Sequence, residues 1–193
     1  MLRAARAGDA PFVELLLTHH ALVDLPSKEG VTPLMAAAGV EFGQRVTRGR
    51  NRTDEGVLAT MRLLIDAGAD VNARMVTEPR AAAAAAGGRG GGGGRRGSQV
   101  PSPSAVPHQT ALHGAAARGF NAFVEFLAAN GADLQAKDAD GRTPLDLARG
   151  VGGGGRGGPA AEGFPKTVAL LESLMAAKGI PVSSPKQART SGP

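Results

Sequence analysis

Apolar residues along this chain recur at helical spacing in short blocks, each closed by glycine or a polar turn. Phe123, Val124, Phe126 and Leu127 fall on one side of a helix and predict an amphipathic segment that ends at Asn130-Gly131. Just before it, Thr110-Ala111-Leu112-His113 opens a short helix with a slim packing face of Ala115, Ala116 and Ala117, stopped by Gly119. Elsewhere Phe12, Val13, Leu15, Leu16 and Leu17 predict a helix entered through Pro11, where the missing N–H costs nothing. Val57 to Ala67 predicts another, with Met61, Leu64 and Ile65 inward. The closing helix is read over Lys166 to Lys178, with Val168, Leu171, Leu174 and Met175 apolar.

These blocks repeat. Thr143 follows Thr110 by 33 residues, and Thr143-Pro144-Leu145 matches the Thr32-Pro33-Leu34 opening far upstream. Gly68-Ala69-Asp70 recurs as Gly131-Ala132-Asp133, with His20-Ala21-Leu22 and Lys178-Gly179-Ile180 in the same places. A 33-residue unit opened by T-x-L-H is the ankyrin signature. The chain thus resembles ankyrin-repeat proteins, and the resemblance implies an all-α solenoid of about four helix–turn–helix repeats. Its repeat-motif residues are Thr32, Pro33, Leu34, Thr110, Leu112, His113, Thr143, Pro144 and Leu145.

Laid over the chain, the frame gives repeats at about 1–26, 27–74, 109–137 and 138–179, a domain over 1–180 and a disordered tail at 181–193. Three low-complexity inserts interrupt it, at 41–56, 75–108 and 150–165. The first and third fall between the paired helices of repeats two and four, and the second falls in a hairpin. Rich in Gly, Ala, Ser and Pro, the inserts offer little apolar surface to offset ordering entropy, so flexible loops are expected. Their composition resembles bacterial ankyrin proteins rich in glycine and arginine. Met1 enters inside a first helix, without the preceding hairpin, so the chain is expected to be the C-terminal part of a longer array.

Six Phe and no Trp or Tyr suit alanine-seamed stacked repeats better than one large core. The net charge of +5 belongs to the inserts and tail, through Arg45, Arg48, Arg50, Arg52, Arg80, Arg89, Arg95, Arg96, Lys186 and Arg189. The repeat frame is close to neutral. There is no cysteine, which excludes disulfides, thiolate metal sites and Cys nucleophiles. No apolar run approaches the ~20 residues of a membrane helix. No signal-peptide core follows Met1, so a cytoplasmic setting is the default, with export left open by the truncated start.

Candidate chemistry is sparse. The glycines around Arg89 match a phosphate loop only trivially, because no strand precedes them and no helix follows. Adjacent His19 and His20 diverge at a helix end and cannot form the i, i+4 metal pair. His113 reads as structural, since the family uses this imidazole to tie neighbouring hairpins. Asp70, Asp133, Asp138, Asp140 and Asp146 stand at turn or opening positions, where they satisfy backbone donors. No catalytic or metal site and no cofactor is expected.

What the resemblance leaves is a binding surface: hairpin tips and first helices lining a concave face, on which an unidentified protein partner docks. Carried over position by position, the contacts are Lys28, Glu29 and Val31 in repeat two and Arg74, Gln109, Ala117 and Arg118 in repeat three. Repeat four supplies Lys137, Ala139, Asp140 and Arg142. The expectation is a monomeric, non-catalytic scaffold or adaptor. The alternative is RNA or polyanion binding through the Arg/Gly-rich inserts, whose charge gives at least weak attraction.

Overall fold

The computed structural model describes residues 1–40, 52–76, 108–150 and 163–181, and among these it contains eight helices and no strand. The helices come in antiparallel pairs. Short inner helices are α1 (Leu2–Ala7), α3 (Pro33–Ala38), α5 (Ala111–Ala116) and α7 (Pro144–Ala148). Each is followed by an outer helix: α2 (Ala10–Thr18), α4 (Asp54–Asp66), α6 (Asn121–Ala129) and α8 (Pro165–Ala177).

The inner helices α3, α5 and α7 start where threonine meets proline or alanine. The Thr32 hydroxyl accepts the Met35 N–H at 3.3 Å, and Pro33 fills a first-turn position that needs no donor. Thr143 and Asp146 cap each other at the start of α7, with Asp146 Oδ2 accepting the Thr143 N–H at 2.9 Å. The outer helix α4 starts at Asp54, capped by Thr53 accepting the Gly56 N–H at 3.1 Å. It therefore begins three residues earlier than the apolar pattern suggests, inside the segment read as insert 41–56. Gly163, Phe164 and Pro165 likewise belong to the frame, with the Phe164 N–H on the Ala148 carbonyl at 2.7 Å.

The inner helices form one row, α1 on α3 on α5 on α7. Ala36, Ala37, Ala38, Ala115 and Ala116 are fully buried there, because only small side chains let backbones come this close. The larger apolar residues Leu34, Met61, Leu64, Leu112, Phe123, Leu127 and Leu171 fill the space between inner and outer rows. In the outer row α2 packs on α4 and α6 on α8, whereas α4 and α6 approach far less. Between them the Arg62 guanidinium of α4 lies 6.0 Å from the centre of the Phe126 ring of α6.

Hydrogen bonds stitch each repeat to the next. Asn72 Oδ1 accepts the Asp133 N–H at 2.8 Å, while its Nδ2 donates to the Gly131 carbonyl at 3.0 Å. Asp24 holds the same place one repeat earlier and accepts the Asp70 N–H at 2.9 Å through Oδ2. A carboxylate has no N–H to offer, and Asp24 Oδ1 is buried without a partner. Asp24→Asn is expected to add the missing donor and raise stability by about 1 kcal/mol, read as an upward shift in Tm. An unchanged or lower Tm would show that the added N–H finds no carbonyl to donate to, unlike that of Asn72. Pro181, which stands where the next ladder donor would come, has no N–H, so the ladder ends there.

Candidate functional site

The hairpin tips are built from one local device. In repeat two the Ser27 N–H donates to the Val31 carbonyl at 2.9 Å, and Ser27 Oγ accepts the Glu29 and Val31 N–H groups at 3.2 Å each. In repeat four Asp138 does the same work: its N–H meets the Arg142 carbonyl at 3.0 Å, and Oδ1 accepts from Asp140 and Arg142 at 3.0 and 2.9 Å. Both turns place a glycine in the left-handed region, Gly30 at φ 78° and Gly141 at φ 75°.

The third repeat keeps the backbone hydrogen bonds that close this turn. The Met75 N–H donates to the Gln109 carbonyl at 2.9 Å, and the His108 N–H donates to the Met75 carbonyl at 2.7 Å. Met75 therefore takes the place of Ser27 and Asp138, and His108 stands in the glycine slot at φ 64°. Met75 is fully buried. These residues correct the limits set for insert 75–108; its remainder, 77–107, lies outside the described residues, as do 41–51, 151–162 and 182–193. Val76 and His108 are the two ends at which that segment leaves the hairpin tip. The other two gaps open between α3 and α4 and between α7 and α8.

Replacing 77–107 by one residue, together with His108→Gly, restores the length of the Ser27–Gly30 turn. Shortening the loop about eightfold is worth three halvings at ~0.6 kcal/mol each. Removing a left-handed β-carbon adds ~1 kcal/mol, partly offset by glycine's greater freedom when unfolded. A gain of about 2 kcal/mol in urea unfolding is expected. A loss would show that 77–107 contributes native contacts.

The structure sorts the sequence candidates into two groups. Lys28, Glu29, Arg74, Lys137, Ala139 and Asp140 are exposed around the hairpins, and Ala117 is exposed at the end of α5. Arg74 Nη1 also donates to the Lys137 carbonyl at 3.3 Å, tying the third tip to the fourth. Val31 and Gln109 are corrections: both are buried, because the residue before the helix-opening threonine closes the hairpin stem. Arg142 is half-buried and committed, with Nη2 at 2.9 Å from Asp138 Oδ2 and 2.8 Å from Asp140 Oδ2.

Arg118, at the end of α5, is half-buried. Its Nε donates to the Gly39 carbonyl at 3.0 Å, and burial pushes its pKa down from the ordinary arginine value. Arg52, read as part of a flexible insert, spans two inner helices: it donates to the Arg6 carbonyl and, at 3.0 Å, to the Ala37 carbonyl. These arginines sit at helix C-terminal ends, where orphan carbonyls and the helix dipole favour a cation. They hold the stack and do not advertise charge.

His113 is buried in the seam between hairpins. Its Nδ1 accepts the Thr110 N–H at 3.1 Å and lies 2.9 Å from the Thr110 hydroxyl, which leaves the proton on Nε2. Nε2–H then donates across the repeat boundary to the Arg142 carbonyl at 3.2 Å. Burial lowers the pKa of this imidazole, against the smaller opposing effects of that bond and of Asp138.

No helix among the described residues is long and apolar enough to cross a membrane. Arg80, Arg89, Arg95 and Arg96, on which polyanion binding would rest, lie outside the described residues.

The comparisons agree with this architecture. A family model described as ankyrin repeat matches residues 29–75 and 108–139, ending and resuming at the hairpin stem formed by Met75 and His108. The chain is also 30% identical over 138 residues to the Drosophila melanogaster protein "Ankyrin repeat and KH domain-containing protein mask". That match covers 72% of this chain but only 2% of the relative's length. Neither match bears on the bacterial resemblance of the inserts. Ankyrin repeats generally mediate protein–protein interaction, and the family is typically non-catalytic. With its stacked helix pairs, capped T-P-L openings and hairpin ladder, the chain is an ankyrin-repeat protein.

Proposed function

We propose that this protein is a non-catalytic interaction scaffold whose protein partner docks on the face formed by the hairpin tips and inner helices, with 1–180 acting as the binding domain. The observation that carries this reading is the division of labour at the tips. Backbone and buried groups (Ser27, Met75, Asp138, His113) fix the hairpins in register, while Lys28, Glu29, Arg74, Lys137, Ala139 and Asp140 are left exposed. Stacked repeats need only their buried positions to stand, so exposed side chains are free to serve recognition. The exposed set mixes both charges and lacks large aromatic anchors, which suits a polar, moderate-affinity contact.

The test uses a photo-crosslinking amino acid placed at Lys28, Ala139 or, on the outer row, Glu125, with crosslinked partners identified by mass spectrometry. The expected result is one shared protein at the first two positions and its absence at Glu125. The variant with 77–107 replaced by a single residue keeps that partner. If crosslinking depends on 77–107 and weakens steeply with salt, the polyanion alternative replaces this reading.

A further inference from the structure

We infer that a second docking site lies on the outer face, in the groove between α2 and α4, and that it takes an amphipathic helix carrying a cation at each end. The groove encloses about 530 Å³. Ala10 and Pro11 of α2, with Leu58, Ala59 and Leu63 of α4, give it an apolar floor. Glu55 and Asp66 stand at the two ends of α4, and Glu14 faces them from α2.

Charge complementarity selects the occupant. Among the described residues no cation forms an ion pair with Glu14, Glu55 or Asp66. Arg62 lines the same wall, but its guanidinium lies over the Phe126 ring, toward α6. The groove is therefore acidic on a chain whose net charge is +5. Its length sets the spacing: Glu55 and Asp66 are separated by about 16 Å along α4 at 1.5 Å per residue. A bound helix of about three turns places Lys or Arg against each carboxylate and an i, i+3, i+4, i+7 stripe of Leu or Ala on the floor. Glu14 then pairs with a third cation or the ligand helix's exposed flank. This site lies on the outer helices, away from the hairpin face, and does not depend on it.

The probe is a synthetic peptide of about 16 residues built from Leu, Ala and Lys, with leucines at that spacing and lysines at both ends. It is titrated into the full 193-residue chain labelled with ¹⁵N. Amide shifts are expected to cluster on α2 and α4. Affinity is expected to fall about tenfold or more in each of two variants, the reversal Glu14→Lys/Glu55→Lys/Asp66→Lys and the groove-filling Ala59→Trp. Lys28→Glu on the hairpin face is expected to leave it unchanged. Both test variants alter exposed or rim positions, and their melting curves report whether they remain folded. Loss in the charge reversal but not in Ala59→Trp would mean diffuse attraction without a site and would overturn the proposal. Shifts centred on the hairpins, or no saturable binding, would overturn it as well.

Discussion

Gly114→Val is expected to cost about 3 kcal/mol and to split the unfolding of this protein into two transitions. A β-carbon on Gly114 would stand 2.7 Å from Val40 Cγ2, 2.8 Å from the Val40 nitrogen and 3.3 Å from the Ala38 carbonyl oxygen. Two of those neighbours are backbone, so relief requires α3 and α5 to move apart. Overpacking a dense interior costs 1–3 kcal/mol, and more where backbone must shift. The position matters because of what surrounds it. Between repeats two and three the outer helices α4 and α6 barely approach, leaving the inner pair α3–α5 and the hairpin stitches to couple the two halves. In a stack stabilised by neighbour interfaces, weakening that seam lets each half unfold at its own midpoint. Urea unfolding followed by probes in α2 and in α6 reads this directly. A single coincident transition with an unchanged midpoint would show that the seam is held elsewhere.

The same seam shows what the amino-acid sequence makes legible and what it hides. Periodic features were readable: the T-P-L openings, Ala115 and Ala116 as the packing face of α5 and the inward Met61 and Leu64 follow from spacing, whereas the structural role of His113 came from the family resemblance and Ala117 is exposed. The start of α4 was readable too, since Thr53 followed by Asp54 and Glu55 is a capping signal, but the low-complexity look of its surroundings masked it. His108 could have been placed by register, two residues before the helix-opening threonine, where repeats two and four have glycine. Arg52 and Arg118 were not readable. Their acceptors are carbonyls at Ala37 and Gly39, set by the fold and unmarked by any local pattern, so both residues look like ordinary surface charge. Val31 and Gln109 were misplaced for a related reason: they flank the variable tip in sequence but face the core in the stem. Alternation across a two-residue arm is too short to decide which way a side chain points.

His113→Leu is expected to destabilise the protein by about 3 kcal/mol and to remove part of its acid sensitivity. Leucine fills similar space but offers neither the acceptor for the Thr110 N–H nor the donor for the Arg142 carbonyl. Leaving a buried backbone group unpaired costs about 1–3 kcal/mol, and here two are exposed to that loss. Asp146, at the matching position of repeat four, supplies the acceptor to Thr143 but has no proton to send onward to another hairpin. At this one boundary the imidazole both caps its repeat and joins it to the next, whereas repeat two, with Met35 at the matching position, is joined to repeat three through Asn72. The pH dependence follows from the same buried ring. Burial disfavours the imidazolium, so the folded pKa lies below the ordinary 6.5, and a proton on Nδ1 would also set one donor against the Thr110 N–H. Below that value the unfolded chain takes up a proton that the folded chain refuses, and stability falls. The contribution is complete above pH 6.5 and is lost as pH drops from there through the lowered folded pKa, at up to about 1.4 kcal/mol per pH unit. Unfolding free energies of wild type and His113→Leu between pH 7.5 and about 5 are therefore expected to converge as the solution is acidified. Parallel curves over that range would mean that His113 is not the group whose neutrality the fold requires.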